Sequence, residues 1–201
     1  MRTAGWRLLI SATGVHRTEG FRYAIDNGAW TAHQQSQAFD EAAFEKIVRA
    51  LGADADWIAI PDIVMGGLDS LAFSLSWIER LRKITGTRLL LPVQDGMEPK
   101  HVEHLIGAEI GIFVGGGDRF KEGTMPLWCA LGRSKGATCH IGRVNTTRRI
   151  FLCEAAGATS FDGSSVTRFV KNLPKLDGAR RQTSFDSRWW HDRAIGDMTG
   201  A

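Results

Sequence analysis

Leu89–Gly96 reads LLLPVQDG and Gly111–Asp118 reads GIFVGGGD. Each is a continuous apolar run of strand length that stops abruptly at a polar or glycine cluster. Parallel strands buried on both faces read this way, because neither side alternates toward water. Working outward, the same design recurs in YAIDNGAW (23–30), WIAIPDIV (57–64), CHIGRVN (139–145) and TSFDGSS (159–165). A chemically distinctive residue stands where each run stops: Asp26, Asp62, Gln94, Gly115 with Gly116, Arg143 with Asn145, and Asp162. A βα-barrel displays an active site in this manner, with catalytic groups at the C-terminal ends of its strands. The pattern points to an enzyme.

Between the runs lie helical signals. Residues 36–51 carry Phe39, Ala43, Ile47 and Leu51 at roughly helical spacing before Gly52, and residues 69–85 carry Leu71, Leu75, Ile78 and Leu81 before Gly86. Pro99 is placed to open a helix running to Leu105. Further helices are expected over 122–131 and 146–156, the latter capped by Thr146 and stopped by Gly157. With a first strand in RLLISAT (7–13), seven strands are readable, and no eighth follows Phe169. The expected fold is α/β, a TIM-type (β/α)8 barrel of compact or irregular form over residues 1–175, followed by a basic, aromatic tail over 176–201. An open doubly wound sheet shares the alternation and stays open as the alternative.

At 201 residues the chain suits one domain, and 43% hydrophobic with 23% charged residues describes an ordinary globular protein. The apolar stretches are too short to span a membrane, and the first ten residues lack a signal-peptide core. Three cysteines at irregular spacing (Cys129, Cys139, Cys153) argue against a disulfide framework and for buried thiols in a reducing compartment, so a cytoplasmic location is expected. The net charge is only +3, but basic residues crowd the last third from Arg143 to Arg193. That distribution fits a polyanionic partner, with a solvated basic face as the bland alternative.

Asp162 follows a strand and is flanked by Gly163, Ser164 and Ser165, small residues that let a substrate come close. A carboxylate so placed can attack a sugar's anomeric carbon, where an oxocarbenium-like transition state needs nearby negative charge. The competing use is a helix cap. Asp26 precedes Asn27-Gly28, itself a strong turn signal. Paired with Asp162, Asp26 suits the complementary role of a carboxyl with raised pKa that protonates the leaving group. Gln94 offers donor and acceptor to the edge of a planar heterocycle, or else braces its loop. Gly115 to Gly117 leave backbone groups open to a ligand, without any phosphate-loop spacing.

Taken in order, DNGA, PD, VQDG, FVGGG, HIGRVN and SFDGSS resemble the motif series of the tRNA-guanine transglycosylase superfamily. LPVQDGM, GIFVGGGDRFK and HIGRVNTTRRI look closest to its DNA deazapurine transglycosylase (DpdA) branch, found in phages and bacteria. The resemblance runs from about Tyr23 to Phe169. It implies that Asp162 is the covalent nucleophile and Asp26 the general acid and base. Asp62, Gln94, Gly115 and Gly116 would recognise the base, and Arg143, Asn145, Arg148, Arg149 and Arg168 are expected to meet nucleic acid. The implied reaction is ping-pong exchange of guanine in DNA for a 7-deazaguanine such as 7-cyano-7-deazaguanine, with no cofactor and with the target base drawn from its stack.

Two departures stand out. The tRNA-modifying enzymes build a zinc site from cysteines after the nucleophile, whereas no cysteine follows Asp162, so no metal is expected. The chain is also much shorter than those enzymes and ends in RRQTSFDSRWWHDR, whose arginines and Trp189-Trp190 could grip a nucleic-acid backbone or pack on the barrel. An RNA-directed enzyme, a two-carboxylate N-glycoside hydrolase and a non-catalytic nucleic-acid-binding barrel are the alternatives.

Overall fold

The computed structural model describes residues 5–14 and 16–182; Arg188, Trp189, Trp190 and Arg193 of the tail lie outside them. Strands β1 (Leu8–Ser11), β2 (Tyr23–Asp26), β3 (Ile58–Ala59), β4 (Leu89–Val93), β5 (Ile110–Val114), β6 (Cys139–Ile141) and β7 (Ser160–Phe161) form a single sheet. The sheet runs in order from β1 to β7, and every pairing is parallel. Helices α1 (Ala29–Gln34) and α2 (Glu41–Leu51) join β2 to β3. Then α3 (Gly67–Arg82), α4 (Pro99–Val102), α5 (Asp118–Ser134) and α6 (Thr147–Ala156) each fill one crossover, and α7 (Ser165–Arg168) and α8 (Leu173–Arg181) follow β7.

The sheet curls. A flat sheet would hold β3 and β6 roughly 14 Å apart, three spacings of about 4.8 Å. Yet the rings of Trp57, at the head of β3, and His140, on β6, lie 4.6 Å apart, and Phe113 on β5 lies 4.9 Å from His140. These rings fill the concave face with Leu9, Ala24, Ala59 and Leu90. The convex face carries the larger core, in which Phe44, Ile47, Trp77, Leu81, Trp128 and Ile150 from the helices are wholly buried against Ile25, Ile58, Leu89, Leu91 and Ile112. Side chains alternate across the strands, so both faces are apolar, as the unbroken runs require.

The eighth strand and the closure of a (β/α)8 barrel are not found among the described residues: the sheet is a seven-stranded half-barrel and β1 does not pair with β7. The reason is visible in residues 166–179. Their buried side chains, Val166, Leu176 and Ala179, sit in helices rather than in a strand-length apolar run. Helix α8 packs on α6, and Trp6 ahead of β1 donates to Asp177 of α8 at 2.8 Å. The boundary expected at 175/176 therefore falls inside α8.

Helix ends differ from expectation where a cap decides them. The helix expected from residue 36 starts at Glu41 because the Asp40 side chain accepts from Ala43 N at 2.9 Å. The expected 122–131 helix extends over Asp118–Ser134, with Pro126 inside it. Thr146 and Gly157 bound α6 as expected, the first accepting from Arg149 N and the second left-handed at φ 77°. Among the described residues no helix is long and apolar enough to cross a membrane.

Candidate active site

The C-terminal ends of β2, β3, β4, β6 and β7 converge on the open mouth of the half-barrel. Asp26 ends β2, and burial pushes its carboxyl up to about 7, with the charges of Asp162 and then Asp62 adding to the rise. Asp162, next to β7, is thus within electrostatic reach of Asp26. The Asn27-Gly28 turn forms as its sequence suggests: Gly28 is left-handed at φ 83° and Asn27 Oδ1 accepts from Ala29 N at 2.8 Å.

Asn27 does more than turn the chain. Its buried amide donates to Ile60 O and to Asp62 Oδ1, both at 2.8 Å. Asp62 is thereby held beside Asp26, and burial raises its carboxyl to about 6 against the lowering effect of the Asn27 bond. Gln94 is 2% exposed, and its amide nitrogen lies 2.6 Å from Ser70 Oγ, 2.9 Å from Ile63 O and 3.3 Å from Asp62 Oδ2. The nitrogen braces the loop after β3, so Oε1 is the atom of Gln94 still available to a ligand. Asp62 and Gln94 are thus adjacent.

Asp162 does not cap the following helix: the α7 N-cap is Ser164, with no side-chain cap bond. Its carboxylate turns to the concave face, where Oδ1 accepts from His140 Nε2 at 3.1 Å and from Arg143 N at 3.2 Å. His140 Nδ1 lies 2.8 Å from Ser160 Oγ. Gly163 also has a packing reason to be small. A Cβ there would stand 2.2 Å from Val144 O and 2.9 Å from Asn145 Oδ1, so the chain itself passes close. Gly163→Ala is expected to push Asp162 and the loop after β6 apart, lowering stability by about 1–3 kcal/mol. Denaturant melts would register the loss.

Gly116 is required twice over, by φ 70° and by Asp95 Oδ2, which would meet a Cβ at 2.5 Å. Asp95 in turn accepts from Gly117 N at 2.7 Å, tying the loop after β4 to the glycine run. The carbonyl of Gly116 already has a partner in the Arg143 guanidinium. That guanidinium also lies 4.1 Å from the ring of Trp30, which is itself partly exposed on α1. Arg143 thus crosses the mouth from β6 to α1, with its own backbone left-handed at φ 59°.

The basic residues divide. Arg148 and Arg149 pair with Glu122 at 2.7 and 2.9 Å, and Arg149 also pairs with Asp118. Asn145 Oδ1 accepts from Ser165 N at 2.9 Å and so braces α7. Exposed Arg168, Lys171 and Lys175 have no ion-pair partner among the described residues, and Phe169 and Val170 between them are exposed too. The cysteines are buried free thiols, with Cys129 and Cys139 sulfurs 3.4 Å apart.

Sequence reading passed over four residues that build the site: Asn27 seen only as a turn, His140, Ser160 and Trp30. No known protein-family model matches this chain, and no curated protein matches it either.

Proposed function

We propose that this protein is a DNA base-exchange transglycosylase, a pentosyltransferase that replaces guanine with a 7-deazaguanine derivative through a covalent aspartyl-sugar intermediate. The observation that carries the reading is the pairing of Asp26 and Asp162 in one mouth, with Asp26 raised to about 7 by burial and by its partner's charge. Such a pair divides the labour of glycosidic cleavage. Asp162 attacks C1′ of the target nucleotide, the C1′–N9 bond breaks, and the electron pair leaves with guanine, which takes the proton of Asp26. The incoming deazaguanine then returns a proton to Asp26 as its nitrogen attacks C1′ and frees Asp162.

The fold is read as a TIM-type barrel reduced to seven strands, with the base held at the mouth by Asp62, Gln94, Gly115 and Gly116. Trp30 supplies an aromatic face beside them, and Arg143 must leave the Gly116 carbonyl for a base to use it. Arg168, Lys171 and Lys175, exposed and without an ion-pair partner among the described residues, are placed to meet phosphates, and a nucleic-acid contact there would weaken with salt. The family resemblance of the ordered motifs supports the choice of DNA and of a deazaguanine. The test is mass spectrometry of a guanine-containing DNA oligonucleotide after incubation with the protein and 7-cyano-7-deazaguanine. Release of guanine with gain of the deazapurine is expected. Modification of an RNA hairpin alone would move the substrate to RNA, and an abasic product would make the enzyme a hydrolase.

A further inference from the structure

His140 is buried on the concave face of β6, its ring packed between Trp57 and Phe113 and hydrogen-bonded at both nitrogens. Register explains the cluster. His140 pairs with Ser160 across β6 and β7, so the period of two puts His140, Ser160 and Asp162 on one face. A carboxylate only accepts, so the bond to Asp162 Oδ1 is donated by Nε2–H, while Ser160 at Nδ1 fixes the rotation of the ring. Arg143 N donates to the same oxygen. Both donors therefore act on Oδ1, and Oδ2 has no hydrogen-bond partner among the described residues.

Resting on the transglycosylase reading, we infer that His140, oriented by Ser160, is a positioning residue that assigns Oδ2 as the attacking oxygen and promotes release of the sugar from Asp162. In the first half-reaction the Oδ2–C1′ bond forms as C1′–N9 breaks, and the carboxylate charge is lost to the ester. In the second, the incoming nitrogen bonds C1′, the C1′–Oδ2 electron pair returns to Asp162, and negative charge redevelops on both carboxylate oxygens. The His140 and Arg143 donors are strongest toward that charged form. They hold the nucleophile in place for attack and favour its departure as a leaving group.

The consequence separates this role from general support of the fold. His140→Leu should lower kcat roughly 10- to 100-fold, the loss expected of one hydrogen bond to a charged group, with KM little changed. The fraction of enzyme trapped as covalent adduct at steady state should rise, because ester breakdown slows most. His140→Gln, which keeps a donor toward Asp162, should recover part of the rate, and Ser160→Ala should shift both readouts the same way by less. Intact-protein mass spectrometry during turnover on the guanine oligonucleotide reads the adduct, and thermal melts check folding.

Adduct falling in parallel with rate, or turnover within twofold of wild type in a folded His140→Leu, overturns the assignment alone. Should His140→Leu not fold, Ser160→Ala carries the same test with the same two readouts. A wild-type protein that neither exchanges base nor forms adduct on DNA or RNA overturns the transglycosylase reading, and this assignment with it.

Discussion

Asp162→Asn is expected to abolish the covalent adduct and to cut base exchange by roughly 10⁴-fold or more, the scale seen when a nucleophile is removed from a cooperating set. The amide keeps the size of the carboxylate and still presents an oxygen to His140 and Arg143, so the mouth should keep its shape. What is lost is the anion that forms the bond to C1′. Intact-mass measurement should show no protein-sugar species, and nucleoside analysis should show guanine retained. Binding of the oligonucleotide should persist, since the cations at Arg168, Lys171 and Lys175 are untouched. An adduct that survives the substitution would move the nucleophile elsewhere and overturn the assignment of Asp162. Loss of binding together with chemistry would instead assign Asp162 to holding the mouth together.

Much of the half-barrel was legible because its strands are buried on both faces, and such strands announce themselves as unbroken apolar runs. LLLPVQDG and GIFVGGGD become β4 and β5 with nearly the expected bounds. Short strands were overdrawn: CHIGRVN (139–145) read as one run, yet β6 covers only Cys139–Ile141, and the backbone turns left-handed at Arg143, φ 59°. Closure was not legible at all, since whether β1 meets β7 depends on what covers the seam. Here α8 reaches from α6 to Trp6, contacts made across the length of the chain.

In the site, residues at strand ends were visible and their supporting partners were not. Asp26, Asp62, Gln94 and Asp162 each interrupt an apolar run and draw notice. Asn27 was hidden behind its turn, because a local explanation sufficed for a residue that also bonds Asp62, 35 positions away. His140 and Ser160 were within reach of the period-two rule once β6 and β7 were aligned, but the register comes from pairing rather than from either run alone. Arg148 and Arg149, read as cations for a polyanion, are also ion-paired with Glu122 and Asp118 on α5, partners that the local run of sequence does not reveal.

Asp26 should set the pH dependence of the first half-reaction. Its carboxyl, raised to about 7, must be protonated to send guanine away, so adduct formation should fall about tenfold per pH unit above that value. Asp26→Asn should remove this limb and lower the rate by roughly 10²- to 10⁴-fold, the usual contribution of general acid catalysis. The covalent intermediate sharpens the argument. Once Asp162 is esterified its charge is gone, and with it one of the causes holding the Asp26 carboxyl high. Asp26 then gives up its proton more readily, at the stage when it must serve as the base, and Asp162→Asn should lower its titration in the same direction, readable by infrared or NMR. Stability supplies an independent check. A carboxyl whose folded pKa exceeds its unfolded value stabilises most when protonated in both states, and that contribution is lost as pH rises from about 4 through 7. Asp26→Asn should therefore be more stable than wild type at pH 8, on the order of 2–4 kcal/mol at about 1.4 kcal/mol per pH unit of displacement. The gap should close toward pH 4. A variant equally stable at both ends would mean that Asp26 titrates as an ordinary solvated carboxylate, and the division of labour with Asp162 would lose its basis.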